Sequence, residues 1–116
     1  MVLTTVGQYC RDFGIPAIEQ WLRSGAWPQL WITLRNAADL LAEPAPATAL
    51  LIWAAAETDP QATAMDADSV ERLEKQREAC RERCGHDEAA LVEKSARRTS
   101  RRDVVSQALE SLNHLT

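Results

Sequence analysis

Apart from tryptophan, aromatic side chains are nearly missing: one Phe and one Tyr accompany four Trp in 116 residues. Glycine and valine are sparse and alanine is abundant, a balance that disfavours sheet and favours helix. The glycines at 7, 14, 25 and 85 are isolated from one another, so no glycine-rich phosphate loop can form. Apolar runs fall short of the roughly 20 residues that a membrane span needs. No basic region followed by a hydrophobic core opens the sequence, and a cytoplasmic chain without membrane contact is expected. Cysteine is scarce and odd in number, Cys10, Cys80 and Cys84, which favours reduced thiols over a disulfide framework. Neither sign of charge dominates: the formal net charge is -4, with three basic and six acidic side chains in residues 1–60 against ten and eleven in residues 61–116. Such a balance does not attract polyanions. No nucleophile sits beside a base and no paired carboxylates occupy an apolar stretch, so the chain is read as non-catalytic, without cofactor-binding residues or metal ligands.

What remains is helical patterning, organised around residues 21–36, WLRSGAWPQLWITLRN, which hold three of the four tryptophans. Val2, Val6, Tyr9 and Phe13 recur at helical spacing, predicting a helix over residues 3–13 that Gly14 interrupts. Pro16 opens a second helix to about Ser24, with Ile15, Ile18 and Leu22 on one face beside Trp21. Gly25 supplies the left-handed residue that ends it. A third helix over residues 28–42 turns Leu30, Leu34, Ala37, Ala38 and Leu41 inward, with Trp27 and Trp31 covering the previous helix. Pro44 and Pro46 break the pattern. The helix over residues 47–57, with Leu50, Leu51, Ile52, Trp53 and a run of alanines, is apolar nearly all round, so it must lie between other helices or against a partner.

Residues 58–68 read as an exposed linker, which divides an N-terminal hairpin region, residues 1–57, from charged helices over residues 69–116 packed with it in one domain. Along the first of these, Val70, Leu73, Arg77, Cys80 and Cys84 form a thin seam in steps of three and four up to Gly85. A short helix carrying Leu91 and Val92 follows. Ser100 and Asp103 then make the start of a last helix with Val104, Val105, Ala108, Leu109, Leu112 and Leu115. The expected fold is all-α: an array of about six or seven helices in antiparallel hairpins.

Two constellations compete with a purely architectural reading. Cys80, Cys84 and His86, with His114 as a fourth donor, have a loose resemblance to a zinc site, but structural zinc takes its cysteines from a turn rather than from a regular helix. Buried thiols are the simpler account. Arg97, Arg98, Arg101 and Arg102 form a basic knot able to meet phosphate. Without interleaved aromatics, and with Asp87, Glu88 and Glu93 upstream, intramolecular pairing is the better account and nucleic acid the weaker partner. The Glu/Arg run over residues 71–83 reads first as a solvated face.

The pattern Trp21-x3-Gly25-x-Trp27-x3-Trp31-x-Thr33-Leu34-Arg35-Asn36, then Ala38-Asp39-Leu40-Leu41-Ala42 and Ala54-Ala55-Ala56-Glu57, resembles the C-terminal helical region of LuxR-type and adenylate-cyclase-associated STAND ATPase regulators. The resemblance covers about residues 15–112 and implies a tetratricopeptide-like array. Where such repeats turn through a Leu-Gly loop, this chain has Glu43-Pro44-Ala45-Pro46. The family's nucleotide-binding, cyclase and DNA-reading parts have no counterpart here. The resemblance therefore implies a detached or truncated terminal module of a bacterial regulator, serving protein contact, sensing or self-association in transcriptional or signalling control. Trp21, Trp27, Trp31, Leu50 and Trp53 are the expected protein-binding residues, with a protein partner or a second copy as the occupant.

Overall fold

The computed structural model describes residues 8–115, so the first part of the helix expected over residues 3–13 lies outside the described residues. The described chain is all-α: a π-helical turn, Cys10–Gly14, runs into α1 (Ile15–Ser24), followed by α2 (Trp27–Leu41), α3 (Pro46–Thr58), α4 (Ala67–Cys84), α5 (His86–Ala96) and α6 (Arg101–Asn113). Gly14 does not interrupt the first helix. It keeps helical angles, φ -64 and ψ -57, while the Ile15 N–H reaches back to the Cys10 carbonyl. Pro16 lacks an N–H and its ring would strike the carbonyl one α-turn back. The wider turn accommodates it.

Gly25 adopts the expected left-handed conformation, φ 70, and the Ala26 N–H bonds the Trp21 carbonyl at 3.0 Å. This closes α1 and turns the chain into α2. α4 starts at Ala67, ahead of Ser69, because the Asp66 carboxylate accepts the Ser69 N–H at 2.7 Å. Ser100 caps α6 in the same way through the Asp103 N–H, at 3.1 Å.

α3 is the centre. Its residues Ala49, Leu50, Leu51, Ile52, Trp53, Ala54, Ala55 and Ala56 are all buried, and α2, α4, α5 and α6 pack around it. The sequence left open whether a partner covers this helix; its own chain does so. α5 presents Ala89 and Ala96 inward, at i and i+7; of the two larger apolar residues it was expected to carry, Val92 packs half-buried against the core and Leu91 is exposed. Short alanine side chains let α5 approach closely, and a leucine there would hold it off. With a radius of gyration of 13.4 Å, the chain has the dimensions of one folded unit of its length. Among the described residues no helix is long and apolar enough to cross a membrane.

Among the described residues one charged side chain is buried. Arg77 is 4 % exposed, and its guanidinium bonds Glu57 at the end of α3 and Glu93 on α5, the latter at 2.5 Å. Arg81 makes a second pair of bonds to Glu93, at 2.8 and 3.0 Å. Burial alone would disfavour a charged Arg77; Glu93 and Glu57 outweigh it and raise its pKa. The Glu/Arg run is thus not only a solvated face. Its arginines at i and i+4 clamp three helices.

Replacing Arg77 by Ala is expected to cost about 2–3 kcal/mol in urea denaturation, below the range for a fully buried pair because Glu57 stays solvated and Glu93 keeps Arg81. Arg77→Met, which retains the apolar stem, should cost roughly half as much or less. Acid should act on the same clamp. The Glu93 carboxyl lies below its ordinary 4.5, held there first by Arg81 and then, against burial, by Arg77. Its stabilising contribution is complete above that ordinary value and is lost as pH falls through the depressed one. Asp39, whose carboxyl is raised by burial, works in the opposite sense for one group. Thermal melts should be flat from neutrality to about pH 5 and fall steeply below about pH 4, less steeply in Glu93→Gln.

Candidate functional site

Of the five residues expected to bind protein, Trp31, Leu50 and Trp53 are core residues, at 1 %, 0 % and 2 % exposure. They cannot form a surface, because the helices that were to need a partner bury them instead. Trp21 and Trp27 remain half-buried at the α1–α2 corner. The Arg101 guanidinium stands over the Trp27 ring, 5.1 Å from its centroid, and bonds Asp59 through Nε at 2.5 Å and Nη2 at 3.0 Å. Burial would raise the Asp59 carboxyl, but Arg101 and the Gln61 N–H outweigh it and bring it below its usual value. The Trp31 indole N–H is turned toward Asp59 without reaching hydrogen-bond geometry. So the start of the expected linker is tied to α6, and Arg101 is spent inside the fold. Arg97, Arg98 and Arg102 are exposed. The basic knot is reduced by its central member.

Cys80, Cys84 and His86 do not converge. The Cys80 thiol is buried against the Ala42 carbonyl at 3.5 Å, where Arg83 also donates at 2.8 Å, so together they satisfy the end of α2. The His86 ring pairs with Glu78 at 3.1 Å on the surface. Among the described residues no three metal-ligating side chains come together. Burial raises the thiols of Cys10, Cys80 and Cys84, which keeps them protonated at neutral pH and slows their reaction.

Among the described residues recesses open on two sides of α2, and neither was visible in the sequence. On one side, Tyr9 and Phe13 stack at 5.8 Å between ring centroids over a hollow of about 240 Å³ that Cys10, Ala17, Ala37, Leu40 and Leu112 help to line without any charged side chain. Tyr9 is 46 % and Phe13 64 % exposed.

On the other side, α2 and α4 both pack on α3 but meet one another at most marginally. The cleft between them, about 610 Å³, has Ile32, Arg35, Asn36 and Asp39 on one wall and Ser69, Arg72, Leu73 and Gln76 on the other. Both sets follow i, i+3, i+4, i+7, which puts each on one helix face over two turns. Trp53 is the floor and residues 63–65 bound one end, where Arg35 donates to the Thr63 carbonyl. Toward the other end the Gln76 amide faces the Asp39 carboxylate. Desolvation by the walls raises that carboxyl, against Gln76 and Arg72. Arg35 is lowered by burial and has no carboxylate in ion-pair range among the described residues.

No known protein family, curated protein or solved structure matches this chain.

The thiol geometry is directly testable. An aromatic disulfide reagent at neutral pH should leave Cys10 and Cys80 untouched in the folded protein, with Cys84 reacting slowly, and should titrate all three cysteines after denaturation. Rapid reaction of two or more thiols in the native chain would contradict the burial of Cys10 and Cys80.

Proposed function

We propose that this chain is a non-catalytic helical protein-interaction module, of the kind that ends STAND-type regulators in the bacterial cytoplasm, and that it associates with a second copy of itself. The observation that carries this reading is the apolar face on the outer side of α2. Two of the large exposed apolar side chains among the described residues, Tyr9 and Phe13, come together there, beside Thr33, Ala37 and Leu40 of α2. Phe13 projects beside an uncharged hollow. A knob and a recess on one face suit a two-fold contact, in which each Phe13 enters the hollow of the opposite copy. The lack of charge removes the repulsion that identical faces would otherwise meet. Exposed aromatic side chains grouped in this way mark contact sites more often than solvated surface. The tryptophan corner and the alanine-rich helix then serve as the scaffold that holds this face.

Sedimentation equilibrium at roughly 0.1 mM chain should show dimer for the natural sequence and monomer for Phe13→Glu, with unchanged helix content. A natural chain that stays monomeric at that concentration would remove self-association, and native mass spectrometry of the purified protein would then report whether a different protein accompanies it.

A further inference from the structure

We propose that the cleft between α2 and α4 is a binding site for a small monocarboxylic acid carried on an apolar, aryl-sized body. This goes beyond the contact face described above and uses none of its aromatic residues. The cleft is a consequence of packing, since α2 and α4 rest on α3 without closing on each other. It is bounded at one end by residues 63–65 and floored by Trp53, so it holds a compact molecule better than a segment running through. Its volume, about 610 Å³, falls in the range of small-ligand sites.

Charge selects the ligand. In a chain of net charge -4, the cleft carries three cations, Arg35, Arg72 and Lys75, against one carboxylate, Asp39. Elsewhere the arginines that hold the fold, Arg77, Arg81, Arg83 and Arg101, each have a carboxylate within 4.0 Å. None of the three cleft cations does among the described residues, although Arg72 stands near enough to Asp39 and Asp66 to act on both through space. Arg35 is half-buried and donates to the Thr63 carbonyl. A guanidinium so placed lacks the anion that its fork geometry matches. Asp39 follows Arg35 by one turn, about 6 Å along α2, and disfavours a dianion such as phosphate. It accepts instead a hydroxyl at the far end of the ligand. Between the two ends, Ile32, Leu73 and Trp53 offer apolar surface.

The test uses the full chain labelled with 5-fluorotryptophan, whose four fluorine resonances report each indole separately, with Trp53 assigned through Trp53→Phe. The probe is 3-(4-hydroxyphenyl)propanoate, compared with its neutral amide and with inorganic phosphate. Saturable movement of the Trp53 resonance by the acid is expected, at least about tenfold weaker for the amide, because the charge-assisted hydrogen bonds are lost. Phosphate should leave Trp53 in place. Arg35→Gln and Arg72→Gln should each weaken the acid about tenfold, and Phe13→Glu should leave it unchanged. Lys75→Gln, at an exposed site, serves if either arginine variant fails to fold. No movement of Trp53 at about 10 mM acid, far above the range in which a specific site of this size binds, would overturn the proposal. So would equal binding of acid and amide, or movement by phosphate alone. Because the readout is a free ligand, it is independent of whether the chain dimerises.

Discussion

The buried guanidinium of Arg77 decides where α4 lies, and with it the shape of the molecule. A charge at 4 % exposure is tolerated only beside opposite charge, and the guanidinium, its Nε without a partner, bonds through its two terminal nitrogens to Glu57 at the end of α3 and Glu93 on α5. Meeting both at once places α4 across the end of α3 and alongside α5. Arg81, one turn on, repeats the contact to Glu93. The clamp is directional in a way that an apolar seam is not, so it fixes register as well as proximity. Arg83 then finds the Ala42 carbonyl at 2.8 Å, and three arginines within seven residues tie α4 to α2, α3 and α5.

Much of this architecture was legible in the sequence. The helix over residues 28–42 was readable because Leu30, Leu34, Ala37, Ala38 and Leu41 repeat at 3.6 residues and all five are buried. The Gly25 turn and the Ser100 cap were legible because each rests on local chemistry that distant residues do not change. Gly14 misled, because its low helix propensity carries little weight when the π-turn before Pro16 keeps the helix continuous. Arg77 fell on the apolar seam of α4 by spacing alone, yet only its long-range partners, 20 and 16 residues away, show that its charge goes inside.

The two hollows beside α2 were not legible for a related reason. Periodicity says which face of a helix is apolar but not which neighbour covers it. In the sequence the tryptophans read as a surface because they are large and mostly clustered, whereas three of the four sort by depth: Trp31 and Trp53 are interior and Trp27 lies under Arg101. Within residues 27–41 Ile32 falls opposite the stripe of Leu30, Leu34 and Ala37 and stays exposed, while Trp31, its neighbour, falls at the edge of the stripe and is enclosed. That difference depends on which side of α2 faces α3.

The cleft follows from an unequal supply of apolar side chains. α3 is apolar all round and satisfies four neighbours. α4, in contrast, buries only Arg77 and Cys80 fully, leaves Leu73 half-buried and Val70 46 % exposed, and surrounds them with charge. A helix with so narrow a seam can close against α3 and α5 but has no second apolar face for α2. The facing side of α2, with Arg35, Asn36 and Asp39, is equally polar, and pressing the two together would desolvate three cations against one carboxylate. The gap between α2 and α4 is therefore the arrangement in which both polar faces keep their water, with an indole at the bottom. A fold built this way leaves between α2 and α4 a concave, positively biased surface that the side chains of the described residues do not fill.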